Sequence, residues 1–138
     1  MHPILRNVLA IVVGWAVGSA VNMGLIKVGH KVIPIDGVNM DDVEAMAQVM
    51  PTLDFQYFIF PFLGHAIGAL IGALVAGFIA ANNKMKFALA IGILFLLGGI
   101  VVNIMIKGPL WFTIVDIALA YIPMALIGGK IAQSFSKK

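Results

Sequence analysis

Asn22, His65, Asn103 and Asp116 are the residues of this chain whose types could do chemistry, because each stands inside a long apolar stretch. An ionisable side chain at the centre of a membrane span costs about 2.5–3.5 kcal/mol on insertion scales, so it is a functional candidate by default. Asn22 lies five residues from Lys27, Asn103 four from Lys107, Asp116 six from Leu110 and His65 eight from Tyr57. At the rise of an α-helix these spacings put all four roughly 6–12 Å below one membrane surface. Each also shares a helical face with small residues: Asn22 with Gly18 and Gly14, His65 with Ala69 and Gly72, Asn103 with Gly99 and Gly92, Asp116 with Ala120. A face that is small and polar should point into a bundle. His65 donating to Asp116 would keep the carboxylate charged, and the pair could bind a cation, pass a proton or anchor a polar headgroup. The competing reading is a buried polar clamp that holds helix register.

The elements that must position these groups follow from hydropathy. The chain has 138 residues, of which 62% are hydrophobic and 11% charged, with a mean hydropathy of +1.06. Soluble domains carry about a quarter charged residues, so a water-soluble globule, a disordered tail and a free-standing nucleic-acid binder are all disfavoured. There is no cysteine, which removes disulfides, thiolate metal sites and thiol redox chemistry. Four stretches reach the length of about 20 apolar residues that a helical span needs: 8–26, 57–81, 87–106 and 111–127. In hydrocarbon every backbone group must bond internally, and these runs are too long for barrel strands. The expected fold is all-α, a single polytopic domain over 1–138 with four transmembrane helices. The first run looks like a signal peptide up to Gly18, Ser19 and Ala20, but it stays apolar to Ile26, so a retained span is expected.

Basic residues set the expected orientation. Arg6, Lys84, Lys86, Lys130, Lys137 and Lys138 fall on one side of a four-span layout, and Lys27, Lys31 and Lys107 on the other. That asymmetry puts both termini in the cytoplasm. The expected location is a bacterial inner membrane. Asp36, Asp41, Asp42, Glu44 and Asp54 then lie in the long first loop, 28–56, outside. Within that loop Asp41 and Glu44 have capping-box spacing. Val43, Met46, Ala47 and Met50 follow on one face and Pro51 ends the run, which predicts a short amphipathic outer helix resting on lipid or acting as a lid. The turns at 82–86 and 107–110 are tight, so the helices they join are antiparallel neighbours.

Lipid tails are as apolar as leucine, so these helices must associate through small residues that let backbones approach. Gly64, Gly68, Gly72 and Ala76 form one such row, and Ala69, Ala73, Gly77 and Ala81 a second. Gly14 and Gly18 are their counterparts in the first span. With two small faces, the second span should be central. One of those faces could instead dock another subunit. A weak repeat also shows: Leu9, Ala10, Ile11, Gly18, Val21, Ile26 and Lys27 recur eighty positions later as Leu89, Ala90, Ile91, Gly98, Val101, Ile106 and Lys107. If it is a duplication, it makes two parallel hairpins.

Other chemistry is weaker. Met23, Met40, Met46, Met50 and Met105 lie toward the outer side with His65, and thioether with imidazole suits cuprous ion. Met is also a common gap filler, and no close Met or His–Met spacing is present, so the metal is left unassigned. No cofactor is expected, and an enzyme is the least supported class. Trp111 and Tyr57 read as an aromatic belt, Trp15 as a packing residue, and His2 and His30 as flanking residues. Pro61 and Pro123 are the two positions where a span could kink.

The segments F-P-F-L-G-H-A-I-G-A-L-I-G-A (60–73) and V-D-I-A-L-A-Y-I-P-M (115–124) resemble those of a family of small bacterial four-helix integral membrane proteins. The resemblance implies the membrane fold over most of the chain and carries no activity. Size and span count are also similar to the small multidrug transporters, but those need a glutamate in the first helix and this one has no acidic residue. Four-helix quinone-linked thiol oxidases are rejected for want of cysteine. Two functions are expected from the residues. One is a transporter or ligand- or ion-binding bundle with His65, Asp116, Asn22 and Asn103 at its site. The alternative is a non-catalytic accessory subunit of a larger membrane complex. Membrane lipids, a second copy or such a complex are the partners to expect, and nucleic acid is not.

Overall fold

The computed structural model describes residues 1–136, so Lys137 and Lys138 of the basic side lie outside the described residues. Among the described residues there is no strand. The elements in order are α1 (Pro3–Val32), α2 (Val43–Val49), α3 (Ile59–Ile79), α4 (Lys84–Met105), α5 (Leu110–Leu119) and α6 (Ile122–Ser134). Short 3₁₀ turns at Met50–Thr52 and Phe55–Phe58 lead from α2 into α3. Four helical stretches are long and apolar enough to cross a membrane: Pro3–Val32, Phe55–Ile79, Lys84–Met105 and Leu110–Ser134.

The first and fourth stretches run beyond the apolar cores read from hydropathy, whereas α3 ends at Ile79 and α4 at Met105, just short of theirs. At 30 residues, α1 is about 45 Å long against a hydrocarbon core of about 30 Å. Its last turns therefore rise beside the first loop rather than ending at Ile26. His2 caps its start by accepting from the Ile4 N–H, and Pro3 occupies the first turn, where a missing N–H costs nothing. The fourth stretch is broken. Pro123 cannot donate to the carbonyl one turn back, and its ring crowds that carbonyl. The helix duly stops at Leu119 and restarts at Ile122. Pro61 sits in the first turn of α3 and interrupts nothing.

The central helix is α3, which packs against α1, α4 and α6. Both of its small rows are covered by helices of the same chain. On one side Gly14, Gly18 and Asn22 of α1 mesh with Gly64, Gly68 and Gly72. A Cβ added at Gly18 would lie 2.7 Å from the Gly68 carbonyl oxygen, and one at Gly68 2.8 Å from the Gly18 oxygen. On the other side Gly128 of α6 approaches Leu70, Ala73 and Leu74, and Gly77 meets Ala132. Backbones this close gain dispersion contacts along their whole length, the attraction that remains when lipid cancels hydrophobic burial. The core is accordingly built from alanines, with Ile91, Phe95 and Tyr121 as its large members. α4 packs on α3 and α6, whereas α1 packs on α3 and only lightly on α4. The two hairpins suggested by the repeat are thus not packed alike, and a seam is left between α1 and α4.

The two ends of the bundle are held differently. At the end carrying the N-terminus, Arg6 Nε donates to the Ile79 carbonyl and Lys84 Nζ to Gly77 and Phe78. Cations there satisfy the last carbonyls of α3 and oppose its dipole. Asn7 Oδ1 accepts from the Ala81 N–H at 2.9 Å, and Asn83 turns the chain in the left-handed region at φ 46°, a conformation asparagine tolerates. At the other end the first loop is pinned by aromatic packing. Phe58, 2% exposed, meets Phe112 at 4.7 Å and Trp111 at 5.3 Å between ring centres, and Phe55 stacks on Trp111 at 5.7 Å. In the loop the helix start is one residue later than the Asp41–Glu44 spacing suggests. Asp42 is the cap, accepting from the N–H groups of Glu44 and Ala45, and Asp41 instead faces His30. α2 has seven residues and buries Met46. Trp15, expected to pack inside, is 53% exposed, because the face of α1 that bears it turns away from α3.

The glycine contacts predict a graded response. Gly68→Ala should destabilise the protein by ~1–3 kcal/mol, the usual cost of forcing atoms into a closed contact, and Gly68→Leu should leave no monodisperse protein. Gly24 has nothing within 4 Å of an added Cβ, so Gly24→Leu should behave as the original. Size exclusion and thermal unfolding in mild detergent check all three.

Candidate functional site

Asp116 is fully buried at 0% exposure, and the chain surrounds it with donors. His65 Nδ1 lies 2.7 Å from Oδ1. The Tyr121 hydroxyl donates to Oδ2 at 2.9 Å. Asn103 Nδ2 approaches Oδ2 at 3.4 Å but bonds better to the Gly99 carbonyl of its own helix, at 2.9 Å. The carboxyl group therefore rests chiefly on His65 and Tyr121. Thr113 Oγ1 donates to Asn103 Oδ1 at 2.9 Å and fixes which way that amide faces. The network joins α3, α4, α5 and the break that follows α5. With Asp116 ionised, its oxygens can only accept and His65 Nδ1 is the donor. Nε2 is then the ring nitrogen left for a ligand. It accepts when the ring is neutral and donates when the ring is protonated.

Local sequence explains why these groups meet. Asp116 sits one turn before the break at Ala120, and the break turns Tyr121 back toward it. The His65 and Tyr121 rings stack with centres 5.7 Å apart and planes inclined by 29°. Gly99 makes room for the phenol, since a Cβ there would collide with the Tyr121 ring and hydroxyl. The small residues flanking each polar group are thus the space that its partners occupy.

Of the four residues singled out by depth, three are joined by these bonds and Asn22 is not. Its Oδ1 is buried against Gly64 with no partner, so Asn22 contributes a wall rather than a member of the network. Tyr121 was not foreseen. Its signal was present, however, as a tyrosine five residues after an intramembrane aspartate and two before a proline. His30, read as a bystander, lies 3.4 Å from Asp41 and lines a cavity.

That cavity, about 300 Å³, reaches from the first loop down to the network. One wall is α1, with Asn22, Met23, Ile26 and His30. The floor is His65 with Asn103, and the roof is the loop, with Met40, Met46, Met50 and Tyr57. Met105, grouped with these by sequence, is exposed and does not line it. A second, smaller cavity of about 200 Å³ lies in the seam between α1 and α4 and is bounded by Trp15, Leu94, Gly98 and Tyr121. Asn22, His65 and Val102 line both. Among the described residues no three His, Cys, Asp or Glu side chains gather as a metal site.

Truncating the hub should be costly. Asp116→Ala leaves the His65 and Tyr121 donors facing an apolar void and should destabilise by ~3–5 kcal/mol, as when one partner of a buried pair is lost. Tyr121→Phe removes one donor and should cost ~1–3 kcal/mol. Thermal unfolding in detergent separates the two. Comparison with protein families, with characterised proteins and with solved structures finds no match, so the functional reading rests on this site's own chemistry.

Proposed function

We propose that this chain is a small multi-pass membrane protein that binds a ligand or ion at the His65–Asp116 site and acts as a transporter or ligand-binding bundle. The observation that carries the reading is the 2.7 Å His65–Asp116 bond at the floor of a cavity reached from the loop end. A clamp serving register alone has no need of a cavity against its histidine. A ligand pocket is a mostly apolar concavity with a few convergent polar groups, and this one has that make-up. The long helices suit a bilayer. The basic residues Arg6, Lys84, Lys86 and Lys130 support an inner-membrane placement with both termini cytoplasmic and the cavity facing outward. In this orientation α2 and the turns around it form an outer roof.

The accessory-subunit reading draws less support, because both small-residue rows of α3 are already filled by α1 and α6 of the same chain. The test is native mass spectrometry of protein extracted gently from its own membrane. The reading expects a bound small molecule or ion on a monomer or discrete homo-oligomer. It expects His65→Ala to lose that mass while remaining monodisperse and helical. Recovery in fixed ratio with larger proteins, or a mass unaffected by His65→Ala, contradicts it.

A further inference from the structure

His65 lines both cavities, whose other walls lie in different parts of the bundle. The larger one runs toward the loop end. The smaller one lies in the seam where α1 packs only lightly on α4, with Phe95 against Gly18, and its rim includes exposed apolar residues. Trp15 is 53% exposed and Leu94 42%, and Gly98 has nothing within 4 Å of an added Cβ. This seam leads sideways from the position of the acyl chains to an imidazole that is itself only 12% exposed. A solute arriving from water has no use for such a side entrance. A molecule already dissolved in the bilayer does.

The wall chemistry narrows the class of that molecule. No lysine or arginine lines either cavity, so a phosphate head would enter without a counter-charge, which is costly at low dielectric. The one acid at the rim, Asp41, repels anions further. Asp116 has its oxygens taken by His65, Tyr121 and Asn103, so it is not free to hold a cationic head. What remains open is His65 Nε2, and Asn22, its amide oxygen unpartnered, lines the same cavities. These match a small uncharged oxygen head that can give or take one hydrogen bond. Thioether and aliphatic walls accept a flexible chain without demanding a fixed shape.

We infer that the ligand of the His65 site is a bilayer-dissolved amphiphile with a small uncharged oxygen head, and that it reaches the site through the α1–α4 seam. This rests on the reading of His65 as the binding site and names its ligand class and its route. The head bonds His65, and the chain lies past Val102 and Gly98 toward the bilayer. Hydroxyl-headed and carbonyl-headed lipids share this chemistry.

The experiment uses the full chain in phosphatidylcholine vesicles with a photoactivatable long-chain alcohol, read by mass spectrometry of the cross-linked peptides. Labelling should fall on the seam, at Trp15, Leu94 and Val102. Excess hexadecanol should compete and hexadecyl phosphate should not. Gly98→Leu fills the seam in open space and should cut labelling at least about tenfold, the equivalent of about 1.4 kcal/mol of binding. Gly24→Leu, also in open space but away from the seam, should leave labelling unchanged. His65→Ala should weaken labelling like Gly98→Leu. Label scattered over all lipid-facing helices, equal competition by the phosphate, or equal loss in Gly24→Leu overturns the inference. If a water-soluble molecule is instead held through His65, the binding site stands and the amphiphile and its route fail. If nothing binds through His65, both fail.

Discussion

A carboxylate buried among apolar helices constrains everything around it. Asp116 has no exposed surface, and an unpaired charge in that setting costs several kcal/mol. The cost is offset only if donors are brought to it from other helices, and helices in lipid approach only where side chains are small. Glycine and alanine rows, the broken fourth stretch and the polar network are consequences of one requirement. Gly99 admits the Tyr121 phenol, the Pro123 break aims it, and the close α1–α3 contact sets Asn22 in the walls of the cavities that His65 also lines. The network ties three of the four long stretches together, whereas α1 is held by backbone proximity to α3.

That division of labour also shapes the cavities. Because α1 leans on α3 and only lightly on α4, the bundle is closed on the α6 side and open along one seam. The long α1 continues past the bilayer core and forms a wall on which the loop can settle. Phe58 and Met46 hold that loop down through burial. A site that needs both a polar floor and access is thereby built from one closed contact and one loose one. The closed contact gives positional precision, and the loose one gives a path.

Much of this was legible in the residues, for physical reasons. Membrane spans announce themselves because lipid demands a long apolar run. The centrality of α3 follows from its having small residues on two faces. Depth counting placed His65, Asn103 and Asp116 at one level because the helix rise is constant. Asn22 shares the level and lines the cavities but faces Gly64 rather than bonding to the network, since depth fixes height and not azimuth. Tyr121 was hidden because its approach to Asp116 depends on the break after Ala120, and a proline marks a kink without giving its direction. The loop was the least readable part. Asp41 and Asp42 are adjacent acids, and only the local turn selects Asp42 as the cap.

The central claim is that His65 donates from Nδ1 to the buried Asp116 carboxyl group. Solid-state NMR of protein in lipid bilayers, with labelled histidine nitrogen and aspartate carboxyl carbon, measures it directly. The account predicts strong dipolar dephasing between a protonated Nδ1 and one aspartate carboxyl carbon, lost in Asp116→Asn and unaffected by Asp41→Asn. An unprotonated Nδ1, or no dephasing between that nitrogen and any aspartate carboxyl carbon, would contradict it.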